Sequence, residues 1–196
     1  MKIYLVRHGD VFNPRGLIYG RLSGFRLSKI GIKEAEKAGE YLDSLGAKPE
    51  IIITSPLLRT VQTAKIIQTF FPDVEIVKEE KIIEGDIGWQ GIVKTDLIKK
   101  KIWDQYLFAP SSITTGERFS GVQTRIAEWV KEFAKKPYEQ AIVVSHQDLI
   151  RSLVLFLQER PLDDLNKFPT ATGSITIVSI NRNVVLQKDI EYWQSQ

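Results

Sequence analysis

The 196-residue sequence contains no cysteine, one methionine and only two histidines. The lack of cysteine excludes a disulfide scaffold, a zinc–thiolate site, an iron–sulfur cluster and a thiol nucleophile. No apolar run approaches the ~20 residues of a membrane-spanning helix, and the start of the chain does not have the pattern of a signal peptide. These absences predict a soluble, cytoplasmic protein without a membrane partner.

Strong charge of one sign is also absent, since 27 basic and 24 acidic residues give a formal net charge of +3. Lysines alternate with glutamates between Lys29 and Lys37, which is typical of a solvated helix face. Because no basic stripe with interleaved aromatics is present, we expect no nucleic-acid partner. The length and a hydrophobic content of 43% predict a single domain over residues 1–196 and carry no indication of an oligomeric state.

Hydrophobic periodicity predicts strands that alternate with helices. Strands are predicted over residues 2–6, 50–54, 74–77, 141–144 and 176–180, the last forming a hairpin with 184–187 across the turn 181–183. Helices are predicted over residues 30–45 after the N-cap Ser28, 55–70 with Pro56 in the first turn, 95–106, 120–135 and 149–157. This order predicts an α/β fold, a three-layer sandwich with a mostly parallel central sheet, helices on both faces and an antiparallel edge.

Both histidines directly follow predicted strands. His8 comes after Arg7 at the end of the first strand, His146 follows the strand 141–144, and Arg59 lies shortly after the strand 50–54. Because open α/β sheets bind ligands at the carboxyl ends of their strands, we expect these four side chains to meet. Arginine matches phosphate oxygens, a neutral imidazole can attack phosphorus, and a second, protonated imidazole can donate to phosphoryl oxygens. The sequence therefore predicts a phosphoryl site.

Each of these residues, taken alone, has a simpler interpretation. A single histidine at a strand end is more often a packing or surface residue, and an arginine early in a helix is usually a surface charge. The convergence of all four on one sheet edge favours the phosphoryl site.

The motifs resemble those of the histidine phosphatase superfamily, the phosphoglycerate-mutase-like enzymes, over about residues 2 to 151. The matching segments are Leu5–Asp10 with Asn13, Gly20-Arg21 with Ser23-Gly24, Leu27-Ser28 with Gly31, Ser55–Thr60 with Gln62–Ala64, Ile82–Glu84 with Gly88–Gly91, Gly116–Arg125, and Val144–His146.

The resemblance implies a mechanism and a set of site residues. His8 is expected to attack phosphorus, while Arg7, Arg59 and His146 stabilise the phosphoryl oxygens. Glu84 is expected to protonate the leaving alkoxide and then to deprotonate water, which requires a raised pKa. Substrate contacts are expected from Asn13, Arg21, Ser23, Gly24 and Gln147, and neither a metal nor another cofactor is implied.

Some roles have alternatives. Asp148 is the rival acid, because a related branch places an acidic residue directly after its second histidine, although Gln147 intervenes here. Glu117 either orients pocket groups or interacts with the dipole of the helix that follows it. The family's usual glycine is replaced by Gln147 and its usual glutamate by Gln90, so both positions are expected to alter the pocket.

The resemblance favours a metal-independent phosphatase that hydrolyses small phosphomonoesters. The stretch from Gly91 to Ser112 has Lys94 and three consecutive lysines but lacks the paired arginines of the mutase insertion, and a short, open pocket lets water reach the phosphohistidine. The alternatives are a cofactor-dependent phosphoglycerate mutase and a weakly active phosphate-binding relative.

Overall fold

The computed structural model describes residues 1–86, 88–181 and 190–194. The strands are β1 (Lys2–Arg7), β2 (Ile51–Thr54), β3 (Ile76–Lys78), β4 (Gln140–Ser145), β5 (Ile175–Ser179) and β6 (Ile190–Trp193). The α-helices are α1 (Lys29–Ser44), α2 (Leu58–Gln68), α3 (Lys94–Lys99), α4 (Ile102–Phe108), α5 (Phe119–Phe133) and α6 (Gln147–Leu157). Short 3-10 helices span Glu80–Ile82, Pro110–Ser112 and Leu162–Lys167.

The strands form one sheet in the order β3-β2-β4-β1-β5-β6. Strands β3, β2, β4 and β1 are parallel, whereas β5 runs antiparallel to both β1 and β6. Arg7 pairs with Ser145 and Thr54 with Val144, so β1, β4 and β2 end at the same level. The predicted mostly parallel sheet with an antiparallel edge is confirmed; the predicted strand 184–187 lies outside the described residues.

Helices cover both faces of the sheet. Successive side chains of a strand point to opposite sides, so an apolar strand presents an apolar surface on each face. Ile3 and Leu5 of β1 pack with residues of α5 and α6, such as Leu153. Tyr4 and Val6 pack with residues of α1 and α2 on the other face. This is the three-layer α/β arrangement expected from the apolar strands.

Several helix boundaries differ from the prediction. Helix α2 begins at Leu58 rather than Ser55-Pro56, since the N-cap Leu57 is still extended and Ser55 N continues the strand pairing with a hydrogen bond to Val144 O. The predicted helix 95–106 is two helices, α3 and α4, because Lys101 adopts a left-handed conformation with φ of 58°. Helix α6 begins directly after His146, which places its first turn at the carboxyl edge of the sheet.

None of the helices within the described ranges 1–86, 88–181 and 190–194 combines the length and the hydropathy of a membrane-spanning segment.

Candidate active site

The carboxyl ends of β1 and β4 bring the two histidines together. His8 N donates to Ser145 O at 3.0 Å, which holds the residue after β1 against the end of β4. His8 is 1% exposed and His146 is 0% exposed, and their ring centroids are 5.3 Å apart. Two buried imidazoles therefore lie side by side at the predicted edge.

Hydrogen bonds fix the tautomer of His8. Its Nδ1 lies 2.8 Å from Gly9 O, and since a carbonyl oxygen can only accept, Nδ1 carries the proton. Its Nε2 accepts from Arg59 Nε at 3.2 Å and therefore holds the lone pair. Burial, followed by the charges of Arg59 and Arg7, keeps the pKa of His8 well below 6.5. His8 is a neutral imidazole at neutral pH.

Arg59 lies in the first turn of α2 and connects the histidines. It is only 1% exposed, and its Nη2 lies 2.7 Å from Gly20 O and 3.2 Å from His146 Nδ1. The guanidinium carbon is 4.8 Å from the centre of the Tyr19 ring, a cation–π contact. This places a buried positive charge beside the Nε2 lone pair of His8.

His146 is neutral as well. Because Arg59 donates to its Nδ1, the proton is on Nε2, which donates to Ser55 Oγ at 2.7 Å. Burial, then the charge of Arg59, holds the pKa of His146 well below 6.5. Burial and a neighbouring cation both disfavour an imidazolium in this ring.

Arg7 supplies a second cation from the last position of β1. Its Nη1 donates to Thr170 O, while its Nε is buried and has no hydrogen-bond partner in the part of the chain that the structure describes. An unpaired buried donor is costly, so this position favours an added acceptor such as a phosphoryl oxygen.

The carboxyl group of Glu84 faces the second histidine. Its Oε2 is 3.9 Å from His146 Nδ1 and its side chain is 14% exposed, while Oε1 accepts from Gly85 N at 2.9 Å. Burial first, and then the charge of Asp148, raise the pKa of Glu84 from 4.5 to about 7, although the Arg59 charge partly opposes them. Glu84 can therefore exchange a proton near neutral pH.

Asp148 has a different environment. It is the second residue of α6, and its Oδ1 accepts from the Tyr106 hydroxyl at 2.7 Å. Gln147 Nε2 donates to the same hydroxyl at 3.1 Å. Burial raises the pKa of Asp148 too, yet its carboxyl is hydrogen-bonded to Tyr106, whereas Glu84 faces His146. Both carboxyl groups line the same cavity, and Glu84 is the one that faces His146.

A cavity of about 640 Å³ lies beside this cluster. Arg7 and Glu84 are part of its lining, whereas the buried His8, Arg59 and His146 lie behind it. Arg7, Glu84, Gln147 and Asp148 contribute to its wall, as does Asn13, whose amide also exchanges hydrogen bonds with Leu17 N and O at 3.1 and 2.9 Å. The remaining lining residues are Gly16, Leu17, Ile18, Tyr19, Gly20, Gly85, Lys94, Thr95, Trp103, Tyr106, Leu107, Arg151 and Asn166. The cavity thus combines cations with an apolar wall.

Three predicted substrate-binding residues lie outside this lining. Ser23 and Gly24 are exposed on the loop before α1. Arg21 is directed at protein groups instead, donating from Nε to Glu84 O at 2.6 Å and pairing with Glu117. Neighbouring protein groups thus bind two of its three guanidinium nitrogens.

Sequence reasoning missed Arg151 and Tyr19. Arg151 follows Gln147 by four residues on α6, so the helical period could have placed it on the same face. It donates to Thr170 Oγ1 at 2.6 Å and Asn166 Oδ1 at 2.8 Å. Tyr19 lies in an irregular loop, and no pattern in the sequence indicates its contact with Arg59.

Across the described part of the chain, no group of three or more histidine, aspartate or glutamate side chains could hold a metal ion.

Comparisons with known proteins identify the family and several relatives of this chain. The family model described as histidine phosphatase superfamily (branch 1) matches residues 3–191. A phosphoglycerate mutase of Schizosaccharomyces pombe is 31% identical, covering 92% of this chain and 90% of the relative. Phosphoserine phosphatase 1 of Hydrogenobacter thermophilus is 30% identical, covering 97% and 92%.

Solved structures are similar along most of the chain. Bacillus stearothermophilus YhfR superimposes with a TM-score of 0.83 at 26% identity, over 92% of this chain and 91% of that one. A mycobacterial glucosyl-3-phosphoglycerate phosphatase gives a TM-score of 0.81 at 20% identity, over 99% and 98%, a likeness of fold.

Proposed function

The chain belongs to the histidine phosphatase superfamily (branch 1), and on that premise we propose that it hydrolyses small phosphomonoesters through a phosphohistidine on His8, without a metal. The observation that carries the proposal is the neutral, buried His8, whose Nε2 lone pair faces the Arg59 guanidinium at 3.2 Å. A nucleophile and a cation for the phosphoryl oxygens are thereby adjacent.

In the first step, His8 Nε2 attacks phosphorus and the bond from phosphorus to the alcohol oxygen breaks. Arg59 and the unpaired Nε of Arg7 stabilise the charge on the phosphoryl oxygens. Protonated Glu84 gives its proton to the departing oxygen, which its pKa of about 7 allows at neutral pH. A phosphoryl dianion raises the pKa of His146. As the substrate binds, the ring takes a proton from solvent on Nδ1, in place of the hydrogen bond that Nδ1 accepts from Arg59.

In the second step, water attacks the phosphohistidine and the phosphorus–nitrogen bond breaks. Ionised Glu84 takes the proton from water, which restores its acid form, and His8 leaves as a neutral imidazole. Glu84 therefore acts as a general acid in the first step and as a general base in the second.

Hydrolysis rather than transfer to a second substrate is supported by the pocket. The cavity of about 640 Å³ is within the usual size range of small-molecule sites, which fits a small phosphomonoester. From the stretch between Gly91 and Ser112, Lys94 is the basic residue on its wall. The relative named a phosphoglycerate mutase makes a mutase the second candidate.

The test is hydrolysis of p-nitrophenyl phosphate in excess chelator, with wild type beside His8→Ala, followed by phosphoserine and the phosphoglycerates. We expect chelator-resistant turnover that is lost in His8→Ala while the thermal unfolding midpoint is retained. No hydrolysis by the wild type, together with interconversion of phosphoglycerates, would instead identify a mutase. Full activity of His8→Ala would overturn the mechanism.

A further inference from the structure

The segment that carries Glu84 has little regular structure of its own. After the 3-10 helix Glu80–Ile82, residues 83–86 are neither helix nor strand. Arg125 of α5 reaches this segment and donates from Nη1 to Lys81 O at 2.7 Å and to Ile83 O at 2.9 Å. One guanidinium therefore holds the backbone just before Glu84.

Arg21 and Glu117 bind the backbone at Glu84 and just after it. Arg21 donates from Nε to the carbonyl oxygen of Glu84 itself at 2.6 Å. The backbone N–H of Glu117 donates to Asp86 O, two residues further along. Carbonyl groups before, at and after Glu84 are thus bound by residues distant in sequence.

Glu117 connects the two arginines. Its Oε1 lies 3.0 Å from Arg125 Nε, and its Oε2 lies 3.0 Å from Arg125 Nη2, which is a bidentate pair. The same Oε2 accepts from Arg21 Nη2. The Arg21, Glu117 and Arg125 side chains are 33%, 23% and 20% exposed. A bidentate arginine pair gives directional restraint that a flexible surface pair does not.

The cluster also connects to the phosphoryl pocket. Gly20 O, one residue before Arg21, accepts from Arg59 Nη2 at 2.7 Å. Arg59 is proposed to bind the phosphoryl oxygens, and Glu84 to protonate the leaving oxygen. The two are therefore linked through the adjacent residues Gly20 and Arg21.

We propose that Arg21, Glu117 and Arg125 form a positioning network that fixes the Glu84 backbone, so that its carboxyl reaches the oxygen of the departing alcohol. The inference rests on the proposed function, in which Glu84 is the acid. It assigns Arg21 to positioning rather than to the substrate contact expected from the sequence. Because the network touches neither substrate nor phosphorus, its loss should affect proton donation more than nucleophilic attack.

The test compares kcat/KM for an aryl and an alkyl phosphomonoester at pH 6, since kcat/KM reports the steps through phosphoryl transfer to the enzyme. An aryl ester such as p-nitrophenyl phosphate needs little protonation of its leaving group, whereas glycerol 2-phosphate needs a proton. General acid catalysis typically contributes about 10²–10⁴-fold. We expect Glu117→Gln to lower kcat/KM for the alkyl ester about tenfold more than for the aryl ester.

Glu132→Gln is the matched control. Glu132 pairs with Lys81 at 2.8 Å, so it also contacts the segment before Glu84, but both side chains are about half exposed or more, at 62% and 49%. An exposed ion pair restrains the segment before Glu84 only weakly. We therefore expect this variant to keep the wild-type ratio of kcat/KM for the two esters. Arg21→Lys retains the charge but not the planar set of donors. Like Glu117→Gln, it should lower the ratio of kcat/KM for the alkyl ester to kcat/KM for the aryl ester.

Two results separate the two proposals. Parallel losses on both substrates in Glu117→Gln and Arg21→Lys, with a selective loss in Glu84→Gln, would overturn the network and leave the acid role intact. Parallel losses in Glu84→Gln itself would overturn the acid role. If Glu117→Gln does not fold, as judged by its thermal unfolding, the ratio measured for Arg21→Lys decides.

Discussion

Replacing Glu84 by glutamine is expected to remove the decline of activity at alkaline pH. Glutamine has nearly the same shape and can still accept the hydrogen bond from Gly85 N at 2.9 Å, but it has no proton to release. Burial and the charge of Asp148 raise the pKa of Glu84 to about 7. Since the acid form is required for phosphoryl transfer, the wild type should lose activity as the pH rises through that value.

The expected size of the decline follows from that pKa of about 7. Glu84 is about nine-tenths protonated at pH 6 and about one-tenth at pH 8, so kcat/KM for an alkyl ester should fall roughly tenfold between them. Ionisation of His8 does not contribute to this decline in kcat/KM, because burial and the arginine charges keep its pKa well below 6.5. The ester's own ionisation near pH 6 is common to all variants.

The assay is kcat/KM from pH 5 to 9.5 with glycerol 2-phosphate for wild type, Glu84→Gln and Glu132→Gln. Glu84→Gln should be about 100-fold less active at pH 6 and lack the alkaline decline, and Glu132→Gln should keep the wild-type profile. Asp148→Asn should move the decline to lower pH, because removing a neighbouring negative charge lowers the pKa of Glu84. An unchanged decline in Glu84→Gln would show that the alkaline ionisation belongs to another group.

Two further predictions concern stability, measured by denaturant unfolding. Because the native pKa of Glu84 is raised from 4.5 to about 7, the native state binds more protons than the unfolded state between these values, so stability falls by up to about 3 kcal/mol as the pH rises through this window; Glu84→Gln should flatten that dependence, and an unchanged slope would contradict the raised pKa. A Cβ on Gly9 would lie 2.2 Å from Gly31 O, so Gly9→Ala should destabilise by about 1–3 kcal/mol. Gly121→Ala, whose Cβ meets nothing nearer than 3.7 Å, should be neutral or stabilising by about 0.5–1 kcal/mol, and equal costs at both glycines would contradict the close approach.

The buried half of the site could be predicted from the sequence. Because β1 and β4 are covered on both faces, they appear as continuous apolar runs, and the residue after each run falls at the edge where parallel strands end. That rule places His8 and His146 together. Arg59 follows the same rule through β2, since α2 begins close to the end of that strand.

The rim of the site could not be predicted in the same way. Arg21 contacts Glu84 and Glu117, which are 63 and 96 residues away in the chain. Such long-range contacts leave no local pattern, so only the family resemblance indicated substrate contacts for Arg21, Ser23 and Gly24. The left-handed Lys101 between α3 and α4 is similarly unmarked, because no glycine or proline interrupts the three lysines there.

In the proposed mechanism, His8 carries the phosphoryl group during turnover. The most direct measurement mixes the protein with a ³²P-labelled phosphomonoester that it hydrolyses, stops the reaction in alkali within milliseconds, and locates the label by peptide mass spectrometry. We predict an acid-labile, alkali-stable phosphohistidine on the peptide that contains His8, and no such label in His8→Ala. A label on another residue, or turnover without any label on His8, would rule out His8 as the nucleophile.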